Sequence, residues 1–456
     1  MARTYRLIVL ASWAIGTIAQ NIPSGASPSY VVSSAFTSAF SSYWTRPNPT
    51  AEPEPVVVDP ILNITFPRNL TDPFTIPENV TSDPLYYPSA IANLTRAGQQ
   101  AVISSAVSQI EAIIVSSQFP TNCSRCIAGL GIAKQAALLA PEMVPEVMIT
   151  LCQQYKLHSN ATCEEEFNAN AFGAIWTQVL GLADVSGLDG QYICSTFGGS
   201  TFCPAPLTSP LNTTDLFPKP KPDHAKQWTA NGNRTRVLHS SDIHLDPCYG
   251  AGSEANCTSS LCCRWNNPNT DISSGQISLA SPLYGTWKCD SPYDLVLGSL
   301  QSIAPMTGTS ENDLLGFALY TGDLVSHEGQ DELSRAYVEY AETSLYGLLK
   351  RYLHNVPVFP ALGNHDTNPE AIDAPHSLPG NLSQQMSWNF DHVASLWQHE
   401  GWLNATAASY ARTHYGEYSV KTSAGLRIIA FNTGFWYKSN FLNFIDTTKL
   451  DKSGQF

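Results

Sequence analysis

The sequence predicts a multidomain fold, a small all-α disulfide-bonded unit followed by an α/β unit. Three observations predict it. The chain has 456 residues, and at roughly 100 to 200 residues per domain that suggests two to four units. Six of its eleven cysteines crowd into one stretch of helical periodicity. Beyond that stretch, short apolar runs end abruptly in Gly, Asp, Asn or His and alternate with helical patterns, the texture of an α/β sheet. With 43% hydrophobic residues there is apolar material for at least two cores. Lys and Arg number 24 against 38 Asp and Glu, a net charge of −14. No basic face is available to displace counterions from phosphates, so no nucleic-acid partner is expected.

Residues 1–19 read as an export signal. Arg3 and Arg6 form the basic start, Leu7 to Ile18 the apolar stretch, and Thr17-Ile18-Ala19 places small residues for cleavage after Ala19. The stretch falls short of the ~20 residues a bilayer span needs. Eleven asparagines stand in N-x-S/T sequons: Asn63, Asn69, Asn79, Asn93, Asn122, Asn160, Asn212, Asn233, Asn256, Asn381 and Asn404. Together these features imply a glycosylated protein, secreted to the extracellular space or held in an acidic vacuolar or lysosomal lumen. An oxidising compartment makes disulfides the first reading of the cysteines.

Residues 20–88, rich in Ser, Pro, Thr and Ala without a sustained period of 3.6 or 2, read as a flexible low-complexity leader. Residues 89–206 turn helical, as in AGQQAVISSAVSQIEAIIVSSQ and NAFGAIWTQVLGL, with apolar residues at i, i+3 and i+4. Residues 207–233 read as a stiff proline-rich linker. From 234 to 456 the apolar runs VLHSSDIHLD, LLGFALYTGD, VPVFPALGNHD and LRIIAFNTG predict strands, and DELSRAYVEYAETSLYGLLKRYL from Asp331 predicts a helix.

Within the helical segment lie Cys123, Cys126, Cys152, Cys163, Cys194 and Cys203, with gaps of 2, 25, 10, 30 and 8 residues. A helical unit this small buries little surface, and three bridges would offset that by constraining the unfolded chain. Spacing alone leaves 15 pairings open. The C-x2-C opening, the central pair ten residues apart and the closing pair resemble the saposin (saposin B-type) family. That resemblance implies Cys123 with Cys203, Cys126 with Cys194, and Cys152 with Cys163. It also implies a helical leaf that handles lipid or lies on a membrane surface. A zinc site at Cys123 and Cys126 is not expected, because no second C-x2-C or His pair stands at zinc spacing.

Three motifs fall at the carboxyl ends of three predicted strands: Asp242-Ile243-His244, Gly322-Asp323 and Gly363-Asn364-His365-Asp366. Each alone is weak, since a lone buried His or Asp is more often structural. In this order, after apolar runs and 81 and 41 residues apart, they are a strong signal. A pair of divalent ions ~3.5 to 4 Å apart needs a shared carboxylate plus imidazole, carboxylate and amide-oxygen ligands from separate loops. Asp323 is the bridging candidate, Asp242 and His244 serve one ion, and the side-chain oxygen of Asn364 serves the other.

With these motifs, the strings SSDIHLDPCY, SLCCRW, YTGDLVSHE, FPALGNHD and LRIIAFNTGF resemble the calcineurin-like metallophosphoesterases and, more closely, the acid sphingomyelinase family. The order of export signal, saposin domain, proline-rich linker and metallophosphoesterase domain is that family's too. The resemblance implies a four-layer, β-sandwich-type α/β domain and hydrolysis of sphingomyelin to ceramide and phosphocholine. It implies Asp242, His244, Asp323 and Asn364 as ligands of two Zn2+ ions, His365 at the leaving oxygen and His327 against the phosphate. Cys257 with Cys262, and Cys263 with Cys289, would be bridges, leaving Cys248 over. Ser326 stands where purple acid phosphatases carry Tyr, which argues against their iron site.

That domain also needs histidines from a G-H-x-x-x-H loop and a final G-H-x-H loop. The last histidine here is His414 and no Gly-His dipeptide occurs. The expectation is therefore a chain carrying only the N-terminal portion of the domain and binding metal poorly by itself. Two rival readings keep the same motifs: a lipid-binding saposin-type protein with a vestigial phosphoesterase, or a metallophosphodiesterase acting on another phosphodiester.

Overall fold

The computed structural model describes residues 83–207, 219–220, 232, 234–310, 313–330 and 332–455, with the backbone of 56–59 and 64–67. The export signal, Asn63, Asn69, Asn79, Asn212 and Asn233, and nearly all of the proline-rich linker lie outside the described residues. The chain divides into two units, residues 1–47 with 301–313, and residues 48–300 with 314–456. In the first, Ser310 and Asp313 exchange backbone hydrogen bonds of 3.2 and 3.1 Å. The other described elements belong to the second, except that residues 301–307, the end of one helix, fall in the first.

Part of the segment read as a leader is structured. Strands β1 (Val56–Asp59) and β2 (Ile64–Pro67) pair antiparallel, Val56 opposite Pro67. Residues 83–86 are also engaged: Asp83 Oδ2 accepts from the Arg335 backbone N–H at 2.9 Å, and the Tyr86 carbonyl accepts from Gln178 Nε2 at 3.0 Å. Two four-residue strands are too short to show as sustained alternation, which is why periodicity passed over them.

Six helices follow: α1 (Arg96–Val115), α2 (Asn122–Leu139), α3 (Val144–Gln154), α4 (Asn160–Phe167), α5 (Ala174–Leu182) and α6 (Leu188–Gly198). Their starts are chemically marked. Thr95 caps α1 through Gly98 N, Thr121 and Ser124 form a reciprocal capping box on α2, and Ser159 caps α4 through Thr162 N. Ile103, Ala106, Ala136, Ala137, Val144, Val147 and Leu180 form the core between α1, α2, α3 and α5. Small alanines at the α1–α2 crossing let the helices approach closely. Bridges Cys123–Cys203, Cys126–Cys194 and Cys152–Cys163 staple the segment. The outermost closes a separation of 80 residues, worth roughly 4–5 kcal/mol in chain entropy.

Helix α5 is buried from Ala174 to Gly181, its Thr177 and Gln178 hydrogen-bonded. One side meets the helical core and another meets the α/β segment. Trp176 stacks on Phe441 with ring centroids 4.8 Å apart. Gln178 and Gln385 exchange side-chain amide hydrogen bonds of 2.9 Å. Asp189 in α6 accepts from the Asp446 and Thr447 backbone N–H groups and the Thr447 hydroxyl, at 3.0, 2.8 and 2.6 Å.

The α/β segment is built on a parallel sheet of order β3 (Val237–Ser240), β4 (Phe317–Tyr320), β5 (Val358–Pro360). Val237 lies opposite Phe317, and Tyr320 opposite Ser240 and Pro360, so all three strands end level. Helices α7 (Tyr293–Thr307), α8 (Arg335–Leu353), α9 (Ser387–His399) and α10 (Ala405–Thr413) and an antiparallel pair, β6 (Tyr418–Lys421) with β7 (Arg427–Ala430), complete it. Helix α8 starts four residues later than its periodicity suggested, because Ser334 caps it by accepting from Tyr337 N at 3.0 Å. Tyr337, Tyr340, Ala341, Leu345, Leu348 and Leu349 give α8 its buried face. Tyr418 of β6 donates from its hydroxyl to the Pro360 carbonyl at 2.6 Å, tying the ribbon to β5. Cys257–Cys262 and Cys263–Cys289 cross-link the long loop between β3 and α7, and Cys248 is a buried thiol. No helix among the described residues is long and apolar enough to cross a membrane.

Candidate metal centre

Because β3, β4 and β5 are parallel and end level, the loops leaving them emerge at one edge, where open α/β sheets place their ligands. The first two loops stay hydrogen-bonded past the strands. Asp242 N–H donates to the Gly322 carbonyl at 3.0 Å, His244 N–H to Asp323 at 3.2 Å and Leu245 N–H to Leu324 at 2.8 Å. Asp242, His244 and Asp323 all adopt left-handed backbone, with φ of 55°, 44° and 60°. Such conformations are uncommon for non-glycine residues and cluster where side chains must be aimed. The third loop presses against the second. A Cβ on Gly363 would stand 2.1 Å from Asp323 Oδ1, and one on Gly322 would stand 2.2 Å from Gly363 N. Only glycines permit this approach.

The ligand atoms of Asp242, His244 and Asp323 lie within 4.8 Å of one another, and so do those of His244, His327 and His365. His244 Nδ1 faces the Val325 carbonyl at 2.7 Å. A carbonyl only accepts, so Nδ1 carries a proton, the arrangement seen in histidines that ligate through Nε2. Asp323 Oδ1 accepts from the His365 backbone N–H at 3.0 Å. Asn364 stands on the same loop, with Nδ2 donating to Glu370 Oε1 at 3.3 Å.

The three imidazoles pack together, with ring centroids 4.1 Å apart for His244–His327, 4.4 Å for His327–His365 and 4.8 Å for His244–His365. Their surroundings divide them. His327 Nδ1 meets Asp290 Oδ1 and Oδ2 at 3.0 and 3.1 Å, and that hydrogen bond raises its pKa above the ordinary histidine value. Burial works against the Asp290 carboxylate, yet the hydrogen bonds from His327 hold it below its usual range. His365 goes the other way. Burial, then the neighbouring His327 and His244, lower its pKa to about 4. His365 Nε2 also approaches Glu370 Oε1 at 3.5 Å, and burial raises the pKa of that carboxyl above its ordinary value.

Four side chains that shape the site escaped the sequence reading. Buried Asp366 accepts from the backbone N–H groups of Asp323, Leu324 and Gly363 at 3.0, 2.8 and 2.8 Å, locking the second and third loops together. Burial and nearby Asp323 raise its pKa to about 6. Asp290 is held beside the first loop because Ser291 N–H donates to the His244 carbonyl at 3.0 Å. Arg264, 1% exposed, bonds Asp246 through Nε and Nη2 at 3.1 and 2.7 Å and also grips Glu328. Asp246 and Glu328 lie two residues and one residue beyond His244 and His327, so one guanidinium braces both loops. The Cys263–Cys289 bridge flanks this brace, next to Arg264 and Asp290. Glu370 is the fourth. Asp366 lay inside a quoted motif and Arg264 inside SLCCRW, whereas Asp290 and Glu370 carry no sequence signal of their own.

No protein-family profile matches the chain. Among curated proteins it is 30% identical over 333 residues to the sphingomyelin phosphodiesterase of Bos taurus, covering 71% of this chain and 48% of that protein. It is 27% identical over 332 residues to sphingomyelin phosphodiesterase B of Dictyostelium discoideum, 71% of this chain and 47% of that one. Over 222 residues it is 32% identical to the cyclic GMP-AMP phosphodiesterase of Homo sapiens, 48% of this chain and 42% of that one. The chain spans about half the length of the curated relatives it matches. These matches are to phosphodiesterases. Over about 70% of its length the chain is similar to the sphingomyelin phosphodiesterases.

Proposed function

We propose that this chain is a secreted, glycosylated, zinc-dependent phosphodiesterase that hydrolyses sphingomyelin to ceramide and phosphocholine. One observation carries the reading: Asp242, His244 and Asp323 converge from the ends of parallel strands, with the His244 tautomer set for ligation by the Val325 carbonyl. The donor set suits zinc, which takes imidazole nitrogen and carboxylate oxygen. Asp242, His244 and Asp323 would hold one ion, and Asp323 with Asn364 would contribute to a second. Bound ions supply Lewis acidity toward a phosphoryl oxygen and lower the pKa of water.

The chain's own groups do the rest. His327, hydrogen-bonded to Asp290, is read as the group that meets the phosphoryl oxygens. Asp366 and the glycine contact keep the loops in register while water oxygen bonds to phosphorus and the bond to the ceramide oxygen breaks. His365 is placed to move the proton that the ceramide oxygen gains.

The helical segment, residues 89–206, is read as a saposin-type domain that presents the lipid from a membrane surface. Its six-helix, three-disulfide form and its docking through Trp176, Gln178 and Asp189 support that reading. Residues 20–88, 207–233 and 234–456 remain the leader, the linker and the metallophosphoesterase portion of the proposed organisation. Glycosylation draws support from Asn93, Asn122, Asn160, Asn256, Asn381 and Asn404, all of which are exposed.

The test is phosphocholine release from sphingomyelin vesicles by the purified protein with zinc, beside Asp323→Asn. The expected result is weak zinc-dependent release, as expected of a chain that binds metal poorly by itself, and loss of that release in the variant while vesicle binding persists. Equal release by both proteins contradicts the reading. A second reading is favoured by the cyclic GMP-AMP phosphodiesterase match, whose 222 residues approximate the size of the 234–456 segment. Hydrolysis of a cyclic dinucleotide with sphingomyelin untouched would select it.

A further inference from the structure

Asn364 is useful as a metal ligand only if its amide is turned the right way, because the oxygen coordinates and the nitrogen does not. Its hydrogen bonds turn it. Asn364 Nδ2 donates to Glu370 Oε1 at 3.3 Å. The other Glu370 oxygen, Oε2, accepts from Gln330 Nε2 at 3.0 Å, and the Glu370 backbone N–H donates to Gln330 Oε1 at 3.2 Å. Gln330 is 6% exposed, so this reciprocal clasp holds the carboxylate from the side away from Asn364. A carboxylate offers only acceptors, so the Asn364 atom facing it must be the nitrogen and the oxygen is directed elsewhere. The same Oε1 lies 3.5 Å from His365 Nε2. One fixed acceptor thus touches both side chains of the Asn364-His365 pair.

We propose that Glu370, clasped by Gln330, is a positioning residue that fixes the Asn364 amide with its oxygen presented to the metal site. The inference rests on the reading of Asn364 as a ligand. Glu370 acts through Asn364, at one remove from the ion, as the outer partners of metal ligands do; their loss typically weakens metal affinity 10- to 100-fold.

The geometry singles out Glu370→Gln as the informative change. It is isosteric, but a glutamine brings an NH2 group that must face either Asn364 Nδ2 or Gln330 Nε2, and each is already a donor. The frustrated contact is relieved when Asn364 flips, which turns its nitrogen toward the metal. Pairing the change with Asn364→Asp restores a donor facing an acceptor with the polarity reversed, and leaves a carboxylate oxygen for the ion.

The experiment is a Co2+ titration of the purified chain followed by visible absorption, for wild type, Asp323→Asn, Glu370→Gln and the Glu370→Gln/Asn364→Asp pair, with thermal unfolding of each. The expected result is loss of the cobalt spectrum in Asp323→Asn, a 10- to 100-fold rise in Kd in Glu370→Gln at nearly unchanged Tm, and recovery of at least half of that loss, on a logarithmic scale, in the double variant. If Glu370→Gln lowers Tm sharply, Gln330→Leu, which loosens the clasp from its far side, must raise Kd at least several-fold for the proposal to stand. Wild-type affinity in Glu370→Gln alongside failure of Asp323→Asn overturns the positioning role and leaves the metal reading intact. Binding that is absent in wild type, or equal in wild type and Asp323→Asn, overturns both.

Discussion

At the scale of single residues, a few buried side chains hold the loops of the candidate metal centre together. Arg264 is the clearest. It is buried between Asp246 and Glu328 and joins the loops that carry His244 and His327. Removing one member of a buried charge cluster leaves the others uncompensated and costs about 3–5 kcal/mol. Arg264→Met, which keeps the stem and deletes the charge, should lower stability by that amount in urea denaturation. A change below ~1 kcal/mol would show that the cluster is solvated and holds nothing. The contrast with His244, Asp323 and Asn364 explains what the sequence could reveal. Those three stand directly after apolar runs, so strand and ligand are read together. Arg264, Asp290 and Glu370 meet their partners 18 to 64, 37 and 6 residues away through tertiary packing, and no local pattern records such a meeting.

At the scale of elements, the strands of the parallel sheet were legible because a buried strand is a short apolar run with a hard stop, as in FALYTGD and VFPALGNHD. The hairpin of β1 and β2 was not, since four residues per strand give alternation too little length. Strand β6 was passed over for the same reason. Helix boundaries followed capping chemistry rather than periodicity: the pattern of α8 began at Asp331, but Ser334 supplies the acceptor for Tyr337 N. Ser334→Ala should therefore destabilise the protein by about 1 kcal/mol, with the denaturant slope unchanged. No measurable loss would mean that the first turn of α8 is held by its buried tyrosines alone.

At the scale of the whole molecule, the fold buries carboxyl groups in a way that couples it to pH. Asp373 is buried, accepts from Asn432 Nδ2 at 3.0 Å, and has its pKa raised to about 7 by burial. A raised acid pKa means that the native state holds the proton more tightly than the unfolded chain. The stability it confers is complete below the unfolded value near 4 and is lost as pH rises through about 7. Within that window the loss approaches about 1.4 kcal/mol per pH unit. Wild type should thus gain stability relative to Asp373→Asn on acidification from pH 7.5 to 5. Parallel pH profiles for the two proteins would contradict this. The central proposal is larger: strand-end loops would build a metal centre from Asp242, His244, Asp323 and Asn364. The most direct test is anomalous X-ray scattering at the zinc edge from crystals of the chain soaked in zinc. The account predicts a peak bounded by Asp242, His244 and Asp323, and a second between Asp323 and Asn364 wherever the shell is filled. Anomalous density elsewhere, with none among these four side chains, would contradict it.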